Sequence, residues 1–305
     1  MAGRAAGFFR YFRQRYMLYV FLLPAVTYVI IFNYIPMYGV QLAFKNYRAI
    51  DGIWGSPWVG LRHFERFINS PNFFSTIGNT LGISLLSLII NFPAPIILAL
   101  MLNYVRNSKI KKTIQTVTYA PYFVSVVVAM GLAYLLLSPN SGVVNTFRKA
   151  MGLDPIFFLG QAKYFKPLYV IIELWRNVGW ASIIYIAALT GVSQEQHEAA
   201  IVDGATKLSR IWHIDLPAIA PTIVILFILR IGQIMNVQVE NVFLLQNPLN
   251  VESSEVISTY VYKVGILNVQ YGFGAAVGLF NNVINMVLLV IANHVARRLT
   301  DSSLW

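Results

Sequence analysis

The sequence predicts an all-α, polytopic membrane protein with six transmembrane helices, and three observations carry that prediction. Of 305 residues, 57% are apolar and 11% are charged, less than half of the roughly 25% charge that clothes a soluble domain. The mean hydropathy is +0.62. Charges are also spaced unevenly: none falls between Arg15 and Lys45, Arg66 and Arg106, Lys112 and Arg148, or Lys263 and Arg297. A helix needs about 20 mostly apolar residues to cross the hydrocarbon, so each of those gaps holds a span. Cysteine is absent, which excludes disulfides, thiolate metal sites and a cysteine nucleophile. The formal charge of +11 lies mostly between the apolar runs, so it points to lipid headgroups and not to nucleic acid.

The first expected span, 17 to 42, follows a basic segment (Arg4, Arg10, Arg13, Arg15) that suits anionic lipid. Its apolar run passes Pro24 and reaches Tyr38 without a small-residue cleavage pattern, so it reads as a retained anchor and not a signal peptide. The second, third and sixth spans are expected at 76 to 102, 114 to 137 and 273 to 295. The fourth, 168 to 190, and the fifth, 220 to 243, carry charge at Glu173, Arg176, Arg230 and Glu240. With six crossings both termini share a side. Placing them in the cytoplasm sets 12 basic residues inside against 9 outside, with the short acid-free loop of Arg106, Lys109, Lys111 and Lys112 on the inside. The outside loops, 43 to 75, 138 to 167 and 244 to 272, are too short for a separate domain, and a small interfacial helix is expected at Leu61 to Ile68. The whole chain, 1 to 305, reads as one transmembrane domain.

The inside loop 191 to 219 carries the sharpest local signal. Ser193 followed by Gln196 reads as a capping box, and Glu195 and Glu198 suit the positive end of a helix dipole. Asp203-Gly204 supplies a break, because glycine tolerates a positive φ. Thr206 can cap a second short helix with Leu208, Ile211 and Trp212 at helical spacing, which Pro217 is expected to end. The loop is therefore expected to be a helix-turn-helix elbow.

Glu198-Ala199-Ala200, two residues, Asp203-Gly204-Ala205, eight residues, then Ile214, one residue and Leu216-Pro217 resembles the EAA loop of permease subunits of binding-protein-dependent ABC importers. Trp58-Val-Gly-Leu-Arg-His-Phe is similar to the Gly-Leu-x-Asn-Phe/Tyr element of the sugar importers, with His63 in place of the asparagine, and Asn79-Thr80 and Ala187-Ala188-Leu189 also fit. The segments beginning at Asn236 and Val256 resemble the polysaccharide branch of the maltose-type superfamily, which includes the lipoprotein-named, rhamnogalacturonan and alginate permeases. Gln246-Asn247-Pro248 stands where the maltose-like members carry Thr-x-Gly-Gly-Pro. The resemblance implies a type I importer permease fold in a bacterial cytoplasmic membrane, moving an oligosaccharide by alternating access. It also implies a second permease, two ATP-binding subunits that hold ATP and Mg, and an extracytoplasmic solute-binding protein. Glu198, Ala199, Ala200, Asp203, Gly204 and Ala205 would then seat in a groove of an ATP-binding subunit, and this chain would need no cofactor of its own.

Polar groups inside a span are costly and are the first candidates for a solute path. At 100° per residue Gln233, Asn236 and Glu240 fall on one face of the expected fifth helix, flanked by Arg230. Asn281 and Asn285 on the sixth span, and Tyr119, Tyr122 and Ser125 on the third, offer hydroxyl-matching and ring-stacking groups for a sugar. Such side chains more often only bond helix to helix across a bundle, which is the favoured reading of each one taken alone. Glu173 and Arg176, at i and i+3, read as a structural pair; a proton-coupled carrier would instead titrate Glu173 or Glu240. The sequence has no phosphate-binding Gly-x4-Gly-Lys-Ser/Thr, no Gly-x-Ser-x-Gly and no His-Glu-x-x-His, so neither ATP hydrolysis nor the common hydrolase chemistries are expected here. His63, His197, His213 and His294 show no ligand spacing, and no metal site is expected.

Overall fold

The structure, a computed structural model, describes residues 15–300 and 303–305. Arg4, Arg10 and Arg13, expected to meet lipid, lie outside the described residues. Among the described residues the secondary structure is helical, and the extended pairing is confined to one antiparallel bridge between Lys45 and Trp58. Five helices among the described residues are long and apolar enough to cross a membrane: Tyr16–Phe44, Phe73–Asn103, Ala162–Leu189, Lys207–Ile231 and Tyr271–Arg298. These are the first, second, fourth, fifth and sixth spans.

The third span departs from the straight helix expected over 114 to 137. Ser108–Phe123 and Val126–Leu137 meet at an angle of 103°. Pro121 brings no N–H to the ladder and disfavours helix in the residue before it. Val124 and Ser125 are extended, and Ser125 restarts the helix by accepting the Val128 N–H at 3.3 Å. Every backbone group freed inside a bilayer needs such a substitute partner.

Two other prolines are absorbed without a break. Pro36 and Pro217 each follow a π turn, Ile30–Tyr34 and Ile211–Asp215. In both cases the residue before the proline donates to the carbonyl five residues back, Ile35 to Ile30 and Leu216 to Ile211. The wider turn relieves the clash between the pyrrolidine ring and the carbonyl four residues earlier. Pro217 therefore does not end a short helix, contrary to expectation. The helix that starts at Lys207 continues through it as the fifth span.

That span also stops early. The expected fifth helix runs to 243, but the observed one ends at Ile231. Gln233 and Ile234 donate to Arg230 and Ile231 in tight turns, while the Met235 N–H leaves the ladder for Asn285 Oδ1 at 3.0 Å. The chain then extends to Gln238 and turns into a short helix, Val239–Leu245.

The fourth span is the centre of packing, lying against the second, the Ser108–Tyr119 arm of the third, and the fifth. Phe165, Tyr169 and Val170 meet Ile83, Met130, Val237 and Val242 in one apolar cluster. Tyr185 and Leu189 meet Ile96, Leu100 and Ile219 in a second. A third cluster joins Phe67, on the helix Arg62–Ile68, to Met235, Ile257, Phe273 and Val277. Gly179 allows the closest backbone approach: a Cβ at that position would overlap the Thr118 carbonyl. The first span is different, since no described residue before Ala43 is buried. Lipid tails are as apolar as leucine, so this helix needs no protein cover to persist.

Gly179→Val should lower the stability of the purified protein by about 3 kcal/mol, because backbone atoms cannot yield as side chains do. A thermal-unfolding midpoint equal to wild type would show that the third and fourth spans can separate at no cost.

Candidate functional site

Two constellations stand out, one at an end of the bundle and one within it. The first is the elbow between the fourth and fifth spans. Ser193 takes the N-cap position of the helix Gln194–Val202 but makes no side-chain cap bond, so the expected capping box with Gln196 does not form. Both side chains are exposed to water, which competes for those groups. The C-terminus is closed more firmly. Gly204 takes φ +79°, Ala205 N–H donates to Ala200 O at 2.8 Å, and Gly204 N–H donates to Ile201 O at 3.0 Å. That pair of bonds is a Schellman motif, which fixes the turn and demands a residue without a Cβ penalty. Thr206 Oγ1 then accepts the Ser209 N–H at 3.2 Å and caps the start of the fifth span.

Glu198, Ala199, Asp203 and Gly204 are exposed, and Ala200 and Ala205 are half-buried. Ile201 and Val202 at the tip are 53% and 86% exposed. Two bare aliphatic side chains beside small ones make a surface suited to a groove. In the sequence these two are marked only by their apolar character next to Asp203-Gly204, outside the small and acidic residues of the motif.

The second constellation is a polar node where the second, fourth and fifth spans meet. Glu173 accepts hydrogen bonds from Ser87 Oγ at 2.9 Å and Asn91 Nδ2 at 3.1 Å. Arg230 lies 3.6 Å from Glu173 and donates to Ser87 Oγ at 3.0 Å. The expected partner of Glu173, Arg176, is not its partner. Arg176 leaves a buried Nε without a hydrogen bond, because the bonds of Glu173 all go to neighbouring helices. Two adjoining cavities share Glu173, Arg230 and Gln238 in their walls. One, of about 210 Å³, also takes Ser87, Gln233 and Asn236; the other, of about 410 Å³, takes Asn91, Asn177 and Tyr185.

The remaining candidates sort by position. Because the fifth helix ends at Ile231, the expected stripe of Gln233, Asn236 and Glu240 on one helical face does not exist. Gln233 and Asn236 still reach the smaller cavity, from a turn, whereas Glu240 is exposed in the first turn of Val239–Leu245 and lines neither cavity. Asn281 and Asn285 are buried and both donate to Asn236 Oδ1, at 2.9 and 3.0 Å, so they hold a cavity-lining residue from behind. Tyr119, Tyr122 and Ser125 sit at the bend of the third span, away from both cavities. Tyr122 stacks on Trp180 with ring centroids 4.5 Å apart, Tyr119 abuts Gly179, and Ser125 caps a helix.

At the end of the bundle away from the elbow, residues of the family-like segments tie loops together. His63 Nε2 meets Lys45 O at 3.0 Å. Asn79 Nδ2 donates to Glu252 O and Glu255 O, and Thr80 Oγ1 accepts the Ile257 N–H. Gln246 Nε2 donates to Ser254 Oγ, and Asn247 Nδ2 donates to Leu159 O at 2.7 Å. These residues are structural braces.

The chain is similar to known transport proteins along nearly its whole length. Residues 91–301 match the family model described as binding-protein-dependent transport system inner membrane component. Protein LplB of Bacillus subtilis is 41% identical over 304 residues, covering 100% of this chain and 96% of that protein. The polygalacturonan/rhamnogalacturonan transport system permease protein YteP of the same organism is 42% identical, covering 96% and 91%. Among solved structures, a chain of the bacterial alginate ABC transporter, crystallised with an alginate pentasaccharide-bound periplasmic protein, superposes with a TM-score of 0.89 at 40% identity over 97% of this chain and 99% of that one. The chain belongs to the family of inner-membrane components of binding-protein-dependent transport systems.

Proposed function

We propose that this chain forms, with a second permease, the path by which an ATP-driven importer brings an oligosaccharide derived from a polysaccharide across the bacterial cytoplasmic membrane. The protein is a membrane permease subunit and catalyses no bond chemistry itself. The observation that carries the proposal is the exposed Gly204 turn with its EAA-type residues, on a chain similar along nearly its whole length to the permease YteP and to a chain of the alginate transporter. In this reading the elbow faces the cytoplasm, as do both termini. The helix Gln194–Val202 seats in an ATP-binding subunit through Ala199, Ala200, Ile201 and Val202, with Glu198 and Asp203 at the rim. ATP and Mg act in that subunit, and their binding energy shifts the permease between inward-open and outward-open states only as far as the two states differ in affinity for the closed motor. The unburied first span, 16 to 38, offers an apolar face to the second permease or to lipid.

The two cavities around Glu173 and Arg230 are the proposed solute path. Donors and acceptors at Ser87, Asn91, Gln233 and Asn236 match sugar hydroxyls, and Phe92, Pro95 and Leu226 in the larger cavity give apolar wall for sugar C–H faces. Support for the oligosaccharide class comes from the named transport roles of YteP and the alginate transporter.

The test is reconstitution in sealed vesicles with the co-purified partner subunits, the binding protein and a panel of neutral and uronate-bearing oligosaccharides. Uptake is expected to need ATP; uptake driven by an ion gradient in the absence of the ATPase subunits would refute the importer reading. Gly204→Glu should insert normally yet lose its ATPase subunits on purification, and retention of those subunits with wild-type uptake would refute the docking role of the elbow. Glu173→Gln leaves Arg230 without its counter-charge, so carboxylate-bearing sugars should gain about three- to fivefold over neutral ones in competition for uptake, the size expected of a partly solvated charge. An unchanged ratio would remove this node from the path.

A further inference from the structure

Asp215 is the one buried acid among the described residues, with no exposed surface. A carboxylate stripped of water persists only where other groups replace its hydration. Its partners come from two other segments. Tyr104, the residue that ends the second span, donates its hydroxyl to Oδ2 at 2.7 Å. His197, in the middle of the elbow helix, places Nε2 3.2 Å from Oδ1, a polar contact without hydrogen-bond alignment. Burial, and then the bond to Asp215, push the Tyr104 hydroxyl up to about 12, so it stays a donor at neutral pH. The other charged groups nearby are cations: the Arg210 guanidinium lies 5.4 Å from the Tyr104 ring centroid, and Arg106 and Lys207 line the adjoining cavity of about 270 Å³ with His197.

Covalent connection alone does not tie the elbow to the bundle firmly. The elbow helix joins the fifth span through the Gly204 turn, whose backbone hydrogen bonds run back to residues 199 to 201 of the elbow helix itself and reach no other span. The elbow has no covalent link to the second span except through the third and fourth. The His197–Asp215 contact bypasses the Gly204 turn, and the Asp215–Tyr104 bond extends the link to the second span. Those two spans supply Arg230 and the Ser87–Asn91 pair, on either side of Glu173 in the cavity walls.

We propose that His197, Asp215 and Tyr104 form the joint through which displacement of the elbow reaches the second and fifth spans together, making them positioning residues for transport. The proposal rests on the reading of the elbow as the docking site for an ATP-binding subunit.

The experiment uses the complete reconstituted importer and measures three quantities: ATPase subunits retained, ATP hydrolysed, and sugar taken up per ATP. Asp215→Asn preserves shape and His197→Leu removes the polar end; both should keep their ATPase subunits and go on hydrolysing ATP, while uptake per ATP falls about tenfold, a usual size for coupling between linked sites. Tyr104→Phe, which deletes one hydroxyl, should fall in the same direction. His197→Gln keeps a donor and should restore most of the ratio. A merely structural role would lower the amount of inserted protein and leave uptake per ATP unchanged; that result in His197→Leu and Tyr104→Phe overturns the joint. Gly204→Glu serves as the separate control. If it loses its ATPase subunits while His197→Leu keeps both subunits and ratio, the joint alone is refuted; if it keeps subunits and uptake, the elbow reading falls and the joint with it.

Discussion

Asn285 accepts the Met235 N–H and donates to Asn236 Oδ1 from the same side chain. Much of the interior depends on that pair of bonds. An apolar surrounding forbids an unpaired backbone group, so a helix inside a membrane can end only where something else takes its hydrogen bonds. Asn285 provides that substitute, and the fifth helix ends at Ile231. The chain then turns sharply enough to bring Gln233, Asn236 and Gln238 to the wall of the cavity beside Arg230 and Glu173. Had the helix continued, successive polar residues would have climbed along one face instead of gathering around one space.

The same constraint explains how the prolines act. Pro121 coincides with a break because Ser125 stands ready to cap the next segment. Pro36 and Pro217 coincide with π turns, which keep the ladder unbroken while displacing one carbonyl. At Pro217 this has a further effect: the last residue of the π turn, Asp215, is buried against Tyr104 and beside His197. The outcome at a proline is set by its neighbours, and the proline itself does not decide between bend and continuation.

The fold class and the positions of most spans were legible because hydrophobic length is a one-dimensional signal. The elbow was legible because Asp203-Gly204 and Thr206 act on backbone within a few residues of themselves. What remained hidden depends on partners far along the chain. Glu173 and Arg176 share a helix face, yet the ion pair goes to Arg230, and no local rule reports that the second and fifth spans close on the fourth there. The end of the fifth helix was missed for the same reason, since the group that ends it is on the sixth span. Asp215 lies within the loop expected over 191 to 219, and no neighbour in sequence marks it; its burial follows from the π turn and from a tyrosine 111 residues earlier. The capping box at Ser193 failed in the opposite direction, as a permitted local bond that water replaces.

The first helix carries a different lesson. Between Tyr16 and Met37 its described residues are exposed, and its anchorage begins at Tyr38, against Trp54 with ring centroids 5.0 Å apart, and continues at Ala43 beside the sixth span. Leaning or rolling this stave uncovers no buried residue among the described ones along that stretch. Its tilt is consequently set by bilayer thickness and by whichever neighbour lies alongside, and a mismatch in the surrounding lipid is taken up there before it strains the cavity-bearing helices.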